Sequence, residues 1–300
     1  MTLWIPFTLA AATFQTARFM LQKYLSMGQL TAAGATFSRF IYSAPLIAIA
    51  LWVYLSVTGQ AVPALSQAFF LYATIGGLAQ ILATVCVVLL FQARNFAVGI
   101  TFKKTEVILS VLVGLVVLGE GVSLAGLAAI LLGVAGVLLL SKTPGIEGRW
   151  WQHLGSRAVA LGLASGLLFA ISAVNYRGAT LQLDAADPLL RAGVTLSVVV
   201  SWQVLVMAVW LAMKDPGEIA AVWRSRRVAL WVGLTSMGGS LCWFVAFALQ
   251  TAAYVKALGQ VELLLSLMAS VLFFKESITQ REIAGMALLV ASILVLVLVI

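Results

Sequence analysis

Residues 77–123, GLAQILATVCVVLLFQARNFAVGITFKKTEVILSVLVGLVVLGEGVS, decide the fold, because their pattern returns at residues 233–279, GLTSMGGSLCWFVAFALQTAAYVKALGQVELLLSLMASVLFFKESIT. A shift of 156 positions aligns the two stretches without a gap. Apolar identities arise easily by chance, but matched acidic residues do not. The aligned acidic pairs are Glu106 with Glu262 and Glu120 with Glu276. A duplication within apolar sequence is typical of membrane carriers.

The composition indicates a membrane protein. Hydrophobic residues make up 63% of the chain and charged residues only 9%, which excludes a water-soluble globular domain. A helix needs about 20 apolar residues to cross a hydrocarbon core of about 30 Å. The sequence therefore predicts an all-α integral membrane protein with ten transmembrane helices. The predicted spans are 3–24, 32–57, 68–91, 96–118, 121–140, 156–177, 188–213, 227–249, 252–274 and 278–300.

The ten predicted spans divide into two repeats of five. Residues 1–140 form the first repeat, residues 141–155 a linker, and residues 156–300 the second repeat. Because five is an odd number, the second repeat enters the membrane from the opposite side, which makes the pair an inverted repeat. Two such halves related by an axis in the membrane plane can open alternately to either side.

The positive charges indicate how the chain is oriented. The net charge is +8, but the lysines and arginines are not clustered as a nucleic-acid-binding surface requires. Fifteen of them lie in or beside the loops on one predicted side, against three on the other. By the positive-inside rule, both termini then face away from the cytoplasm. We expect the chain to lie in the inner (plasma) membrane.

The strongest candidate site lies where predicted spans 4 and 9 are interrupted by polar residues at corresponding places. Such paired interruptions indicate the binding site of a transporter. The candidate substrate-binding residues here are Lys103, Lys104 and Glu106 in span 4 and Lys256, Gln260 and Glu262 in span 9. A helix from Glu106 to Leu118 would be about 18 Å long, which puts Glu106 near mid-membrane. A charge at that depth costs about 2.5–3.5 kcal/mol and should face a partner or a watered cavity.

A purely structural alternative exists for part of this pattern. Lys103 and Glu106 are spaced i and i+3, so they could neutralise each other on one helix face. That alternative leaves Glu262 unexplained, because the nearest lysine, Lys256, lies six residues back. We therefore expect a central polar site in which Glu106 and Glu262 are also the candidates for proton coupling.

Further candidates lie on other predicted spans. Gln15 and Arg18 share a polar stripe on span 1, although Arg18 could instead extend toward the membrane surface. Gln80 on span 3 and Asn175 on span 6 are polar residues that either contact substrate or join helices. Trp243 on span 8 could line a cavity. The arginines early in spans 2 and 7, Arg39 and Arg191, are interpreted as structural or gating residues.

Several motifs resemble one transporter family. An arginine lies early in the second span of each half, and the glutamates of residues 118–120 and 274–276 close spans 4 and 9. A glycine-rich fifth span follows the first of these glutamates. In these features the chain resembles the drug/metabolite transporter superfamily, in its EamA-type ten-span branch. The resemblance implies that spans 1, 3, 4, 6, 8 and 9 surround a central cavity. It also implies substrates such as amino acids, their derivatives and other small metabolites.

The sequence thus predicts a secondary transporter, acting as an exporter, that moves small polar or zwitterionic metabolites by alternating access. There is no phosphate-binding loop, so ion or substrate gradients must supply the energy. The expected partners are a small-molecule substrate, the lipid bilayer and protons as coupling ion, with the chain a monomer or a homodimer and no nucleic acid bound. The alternative is a channel or a non-transporting membrane subunit.

We expect no enzymatic activity, cofactor or metal. The single histidine, His153, lies in the predicted linker, and no cluster of residues has the spacing of metal ligands. Nothing in the sequence resembles a nucleophile with a neighbouring base.

Overall fold

The computed structural model describes residues 3–28, 30–92, 101–140, 156–265 and 279–299. Every element of regular structure in these ranges is an α-helix. The predicted linker, 141–155, lies outside the described residues, as do Glu276 and the second part of predicted span 9.

Eleven helices have both ends within the described residues. They are α1 (Trp4–Ser26), α2 (Ala32–Thr58), α3 (Gln67–Gln92), α4 (Glu106–Leu118), α5 (Leu124–Leu140), α6 (Arg157–Leu181), α7 (Pro188–Lys214), α8 (Pro216–Arg224), α9 (Arg226–Leu249), α10 (Ala252–Leu258) and α11 (Gln280–Val299). Residues 101–103 and 261–265 are also helical.

The helices have the length and polarity of membrane-spanning segments. Among the described residues, six of them, α2, α3, α6, α7, α9 and α11, are long and apolar enough to cross a membrane, and α5 is a shorter apolar helix. Large apolar side chains such as Trp52, Val116 and Leu124 are exposed on the outside of the bundle. An apolar exterior of this extent suits lipid rather than water. The chain is therefore an all-α membrane-embedded protein.

Two helical segments are interrupted at the places where the sequence has its polar residues. In the first, a turn at Lys104 and Thr105 separates helical residues 101–103 from α4. In the second, α10 ends at Leu258 and a turn at Gly259 and Gln260 precedes helical residues 261–265. Both breaks are closed by tight i to i−3 hydrogen bonds, from Lys104 N to Thr101 O and from Gln260 N to Ala257 O. Such short 3₁₀-type turns often mark functional positions within helices.

Helix α8 was not predicted from the sequence, which indicated a loop between spans 7 and 8. Pro216 begins this helix, as expected for a residue that lacks a backbone N–H and has a fixed φ. The buried carboxylate of Glu218 accepts hydrogen bonds from the backbone N and the Oγ1 of Thr31, at 2.6 and 2.9 Å. Because Thr31 is the N-cap of α2, this contact places a negative charge at the positive end of the helix dipole.

The helices pack in pairs drawn from the two halves of the chain. Helix α1 packs mainly on α9, α3 on α6, and α5 on α11. Helix α4 packs on α6 and on α10. The two interrupted segments therefore lie against each other, and α10 also contacts α1, α6 and α9.

The pair α5 and α11 depends on two glycines. A Cβ atom at Gly136 would lie 2.9 Å from the backbone oxygen of Gly285, and a Cβ at Gly285 would lie 2.9 Å from the oxygen of Gly136. Small residues are common where membrane helices cross, because association there depends on close backbone packing.

We predict that Gly136→Ala destabilises the protein by about 1–3 kcal/mol, because the added methyl group forces two backbones apart. The matched control is Gly121→Ala, since a Cβ at Gly121 would meet no atom within 4 Å. Unfolding of both variants in mixed micelles with increasing SDS measures the change. Equal effects of the two substitutions would contradict the close crossing of α5 and α11.

Candidate functional site

Glu106 binds two lysines at the first break. Its carboxylate lies 3.4 Å from Nζ of Lys103 and 2.6 Å from Nζ of Lys256. The two lysines come from different halves of the chain. The pairing of Lys103 with Glu106 on one segment is thus real, but the shorter contact joins the two interrupted segments. Neutralisation within one helix therefore accounts for only part of the arrangement.

Glu262 lies at the second break and also contacts the other half of the chain. Nε2 of Gln15, on α1, donates a hydrogen bond of 2.8 Å to its carboxylate. Nζ of Lys104 lies 3.8 Å from the same oxygen. Because Lys103 and Lys104 are adjacent in the chain, these contacts place Glu106 and Glu262 in one charged cluster.

A small polar cavity lies within this cluster. It is lined by Gln15, Lys103, Lys104, Glu106, Trp243, Lys256, Gly259, Gln260 and Glu262. The two acidic residues therefore share one chamber, as a joint binding site requires.

A second cavity, the larger of the two, adjoins the first. The two share Gln15, Trp243 and Lys256 as wall residues. The remaining walls of the larger cavity are Arg18, Arg39, Gln80, Phe169, Ser172, Ala173, Tyr176, Ser236, Gly239, Ser240, Phe244 and Phe247. These residues come from α1, α2, α3, α6 and α9, so the cavity lies between the two halves of the chain.

Two buried arginines form one side of the larger cavity. Arg18 donates from Nη1 to Oε1 of Gln22 at 3.3 Å. Arg39 donates to Oγ1 of Thr84 at 3.0 Å and to Oγ of Ser240 at 3.4 Å. The side chain of Arg39, interpreted from the sequence as structural or gating, therefore lies on the cavity wall and also links α2, α3 and α9.

Aromatic rings surround the ammonium group of Lys256. Its Nζ lies 4.8 Å from the ring centroid of Trp243 and 5.7 Å from that of Phe169. Trp243 in turn stacks on Phe247, with centroids 5.9 Å apart. Gly259 permits this arrangement, because a Cβ there would lie 2.5 Å from the ring of Trp243. Contacts between a cation and aromatic faces partly replace the hydration that the buried lysine has lost.

The candidate Gln80 both lines the larger cavity and joins helices. Its Oε1 accepts hydrogen bonds from the hydroxyl of Tyr176 at 3.0 Å and from Nε2 of Gln203 at 2.9 Å. Asn175 differs, because its amide donates at 2.8 Å to the backbone oxygen of Ile171 on its own helix. Asn175 lines neither of the two cavities.

Several polar atoms in the cavity walls lack a hydrogen-bond partner among the described residues. They are Oγ of Ser236, Nε1 of Trp243 and Oε1 of Gln260. Buried polar atoms nearly always have a partner, so each exception calls for an explanation. Their shared position at the cavity walls is the arrangement expected of groups that bind a polar ligand.

All the candidate residues predicted from the sequence, except Asn175, line at least one of the two cavities. The larger cavity also has polar wall residues that the sequence does not single out for substrate binding, namely Arg39, Ser172, Tyr176, Ser236 and Ser240. The sequence does contain one indication of these residues. Ser236, Ser240 and Trp243 are spaced i, i+4 and i+7, which places them on one face of α9. Among the described residues, no group of three histidines, cysteines or acidic residues could hold a metal ion.

A further ion pair joins residues that line neither cavity. Nε of Arg177 contacts both carboxylate oxygens of Glu120, at 2.7 and 2.6 Å. Nη1 of the same arginine donates to the backbone oxygens of Phe247 and Gln250, at 2.7 and 2.8 Å. This contact joins α6, the end of α4 and the end of α9, which gives Glu120 a structural role.

Comparison with known proteins establishes the fold alone. No protein-family model matches the chain, and no curated protein matches it in sequence. Among solved structures 28 chains match. One of them, a crystal structure, is 15% identical and aligns with a TM-score of 0.66 over 97% of this chain and 99% of its own. Nearly the whole length of both chains therefore shares one architecture.

We predict that Glu106 and Lys256 are energetically coupled. Glu106→Gln leaves the ammonium group of Lys256 without its carboxylate, and Lys256→Met leaves Glu106 with Lys103 alone, whereas the double variant removes both charges of the shorter pair. A double-mutant cycle, measured by SDS-induced unfolding, should give a coupling free energy of about 1–3 kcal/mol.

The control cycle combines Lys256→Met with Asp184→Asn, because Asp184 is exposed in the loop between α6 and α7. The effects of these two substitutions on the free energy of unfolding should be additive to within about 0.5 kcal/mol. Additivity in the Glu106 cycle as well would show that the contact between Glu106 and Lys256 does not exist in the protein.

Proposed function

We propose that this protein is a secondary transporter that exports small polar or zwitterionic metabolites, in the size range of amino acids, by alternating access. One observation carries the proposal. Two interrupted helical segments, one from each half of the chain, meet around a shared polar cavity that both acidic residues line. Interrupted helices that meet in this way form the substrate and ion sites of many secondary transporters.

The proposal includes ten spans arranged as two inverted repeats. The helix contacts support it, because they occur in pairs that the repeat relates to one another. Helix α1, the first span of one half, packs on α9, the third span of the other half. Helix α6, the first span of the second half, packs on α3, the third span of the first. The last spans of the two halves, α5 and α11, pack on each other.

We assign the protein to the inner (plasma) membrane and, by its resemblance, to the EamA-type branch of the drug/metabolite transporters. The residues around the larger cavity come from predicted spans 1, 2, 3, 6, 8 and 9, and those around the smaller cavity come from spans 1, 4, 8 and 9. This set includes every span that the resemblance places around a central cavity.

The cavity chemistry suits a substrate with charged ends. Carboxylates and ammonium groups lie side by side, so both ends of a zwitterion could exchange their hydration for direct contacts. Glu106 and Glu262 are the residues for which we propose proton coupling. Glu106 contacts Lys103 and Lys256, and Glu262 contacts Lys104. A bound substrate or a proton would compete with these lysines for the carboxylates.

We predict that Glu106→Gln and Glu262→Gln each lower export at least tenfold, because each breaks the charge arrangement that the substrate encounters. The measurement is efflux from proteoliposomes preloaded with a panel of labelled metabolites, with and without a pH gradient. Counterflow of labelled against unlabelled substrate separates a carrier from a channel, since a channel does not couple the two movements.

Asp184→Asn is the matched control, because it removes one exposed carboxylate outside both cavities. Its efflux should equal that of the unsubstituted protein. Unchanged efflux and unchanged pH dependence in both glutamate variants would refute the assigned roles. Absence of efflux and counterflow for every metabolite in the panel would instead favour a non-transporting subunit.

A further inference from the structure

The two adjoining cavities contain more positive than negative charge. Their charged wall residues are the cations Arg18, Arg39, Lys103, Lys104 and Lys256 and the anions Glu106 and Glu262. The described wall residues thus have a formal excess of three positive charges. A zwitterion, which has no net charge, leaves that excess unchanged.

The excess is concentrated at the arginines. Both carboxylates lie against lysines, within 4.0 Å. Within the described part of the chain, neither Arg18 nor Arg39 has a carboxylate that close. The two guanidinium groups repel each other, and only Arg18 is attracted to Glu262 at longer range. Both side chains are almost fully buried, 3% and 4% exposed.

Neutral contacts do not compensate these two charges. Each guanidinium has five N–H groups, of which Arg18 uses one in the hydrogen bond to Gln22 and Arg39 uses two, to Thr84 and Ser240. Each also lies over a phenylalanine ring, at 4.4 Å for Arg18 and 5.1 Å for Arg39. Rings and hydroxyls orient a buried cation, but an opposite charge is what offsets its lost hydration.

The neighbouring unpartnered groups include hydrogen-bond donors. Oγ of Ser236 and Nε1 of Trp243 are buried without a partner among the described residues, and both residues line the cavity that Arg18 and Arg39 line. An indole N–H can only donate, and a hydroxyl can donate one hydrogen. Donors and guanidinium groups around one cavity match an oxyanion, since the planar guanidinium binds carboxylate and phosphate through paired hydrogen bonds.

We propose that the substrate is a small organic anion whose carboxylate or phosphoryl group is bound by Arg18 and Arg39 in the larger cavity. This inference rests on the proposed transport function. Of the substrates proposed there, it retains polar metabolites with net negative charge and excludes zwitterions without net charge. The rest of the substrate lies toward Trp243 and Lys256, which the two cavities share.

The test is ligand-dependent thermal stabilisation of the purified full-length chain in detergent. The probes are succinate, inorganic phosphate, alanine and putrescine, each titrated at constant ionic strength with sodium chloride. Succinate or phosphate should raise the Tm in a saturable manner, whereas zwitterionic alanine and cationic putrescine should not. Stabilisation by succinate alone identifies a carboxylate ligand, and stabilisation by phosphate alone a phosphoryl ligand.

Substitutions locate the site. Arg39→Gln should weaken binding of the stabilising anion at least tenfold. Arg39→Lys should weaken that binding less, because the positive charge is kept. Arg191→Gln is the matched control. Arg191 is the corresponding arginine of the second half, it donates to the backbone oxygen of Ala248 at 3.3 Å, and it lines neither cavity. Its variant should bind the anion as the unsubstituted protein does.

Several outcomes would overturn the inference. These are stabilisation by alanine or putrescine without stabilisation by an anion, no stabilisation by any probe, and equal weakening in Arg39→Gln and Arg191→Gln. If Arg39→Gln does not fold, the test rests on anion binding by the unsubstituted protein and by Arg39→Lys.

Flux measurements in proteoliposomes separate this inference from the proposed function. Counterflow of alanine but not of succinate or phosphate would support transport and refute the anionic substrate. Anion binding without any flux would refute transport and leave the anion site supported.

Discussion

A charged side chain in the lipid interior is costly to bury unless an opposite charge or a watered cavity faces it, and the centre of this protein is arranged around that constraint. Each buried carboxylate of the central cluster has a cation from elsewhere in the bundle, Glu106 through Lys256 and Glu262 through Lys104. These pairs cross between the two halves of the chain. The same contacts that lower the cost of burying charge therefore also determine how the two halves meet.

The helix breaks make this arrangement sterically feasible. In a continuous α-helix, Lys104 and Glu106 would not face the same side, because residues two positions apart lie on different faces. With the turn at residues 104–105, both line the smaller cavity. Glycines then allow close approach around the breaks. A Cβ at Gly166 on α6 would lie 2.9 Å from the backbone oxygen of Lys103, so only glycine fits against the first break without a shift. Close helix packing and charge pairing thus meet at the first helix break, where Gly166 packs and where Lys103 and Glu106 form an ion pair.

Much of the site was predictable because ionisable residues are rare in apolar sequence. Glu106, Glu262 and the neighbouring lysines are conspicuous in an apolar sequence, and the repeat aligns Glu106 with Glu262. What the sequence could not supply is which lysine each acid contacts, since Lys256 and Glu106 are far apart in the chain. The cavity position of Arg39 was also hidden, because its place early in span 2 indicated a structural or gating residue and the sequence does not show which helices its side chain faces. Helix α8 was missed because its nine residues are too short and too polar to resemble a span.

The most direct test of a shared, water-accessible chamber is chemical modification at its wall. The chain has two cysteines, Cys86 and Cys242, and replacing both with serine gives a background in which one new thiol can be followed. Gln260→Cys, in the cavity wall, should react with a small charged methanethiosulfonate reagent, as should Asp184→Cys in the exposed loop. Reaction of Asp184→Cys together with complete protection of Gln260→Cys under the same conditions would mean that the acidic residues are sealed in dry packing, and would contradict the account.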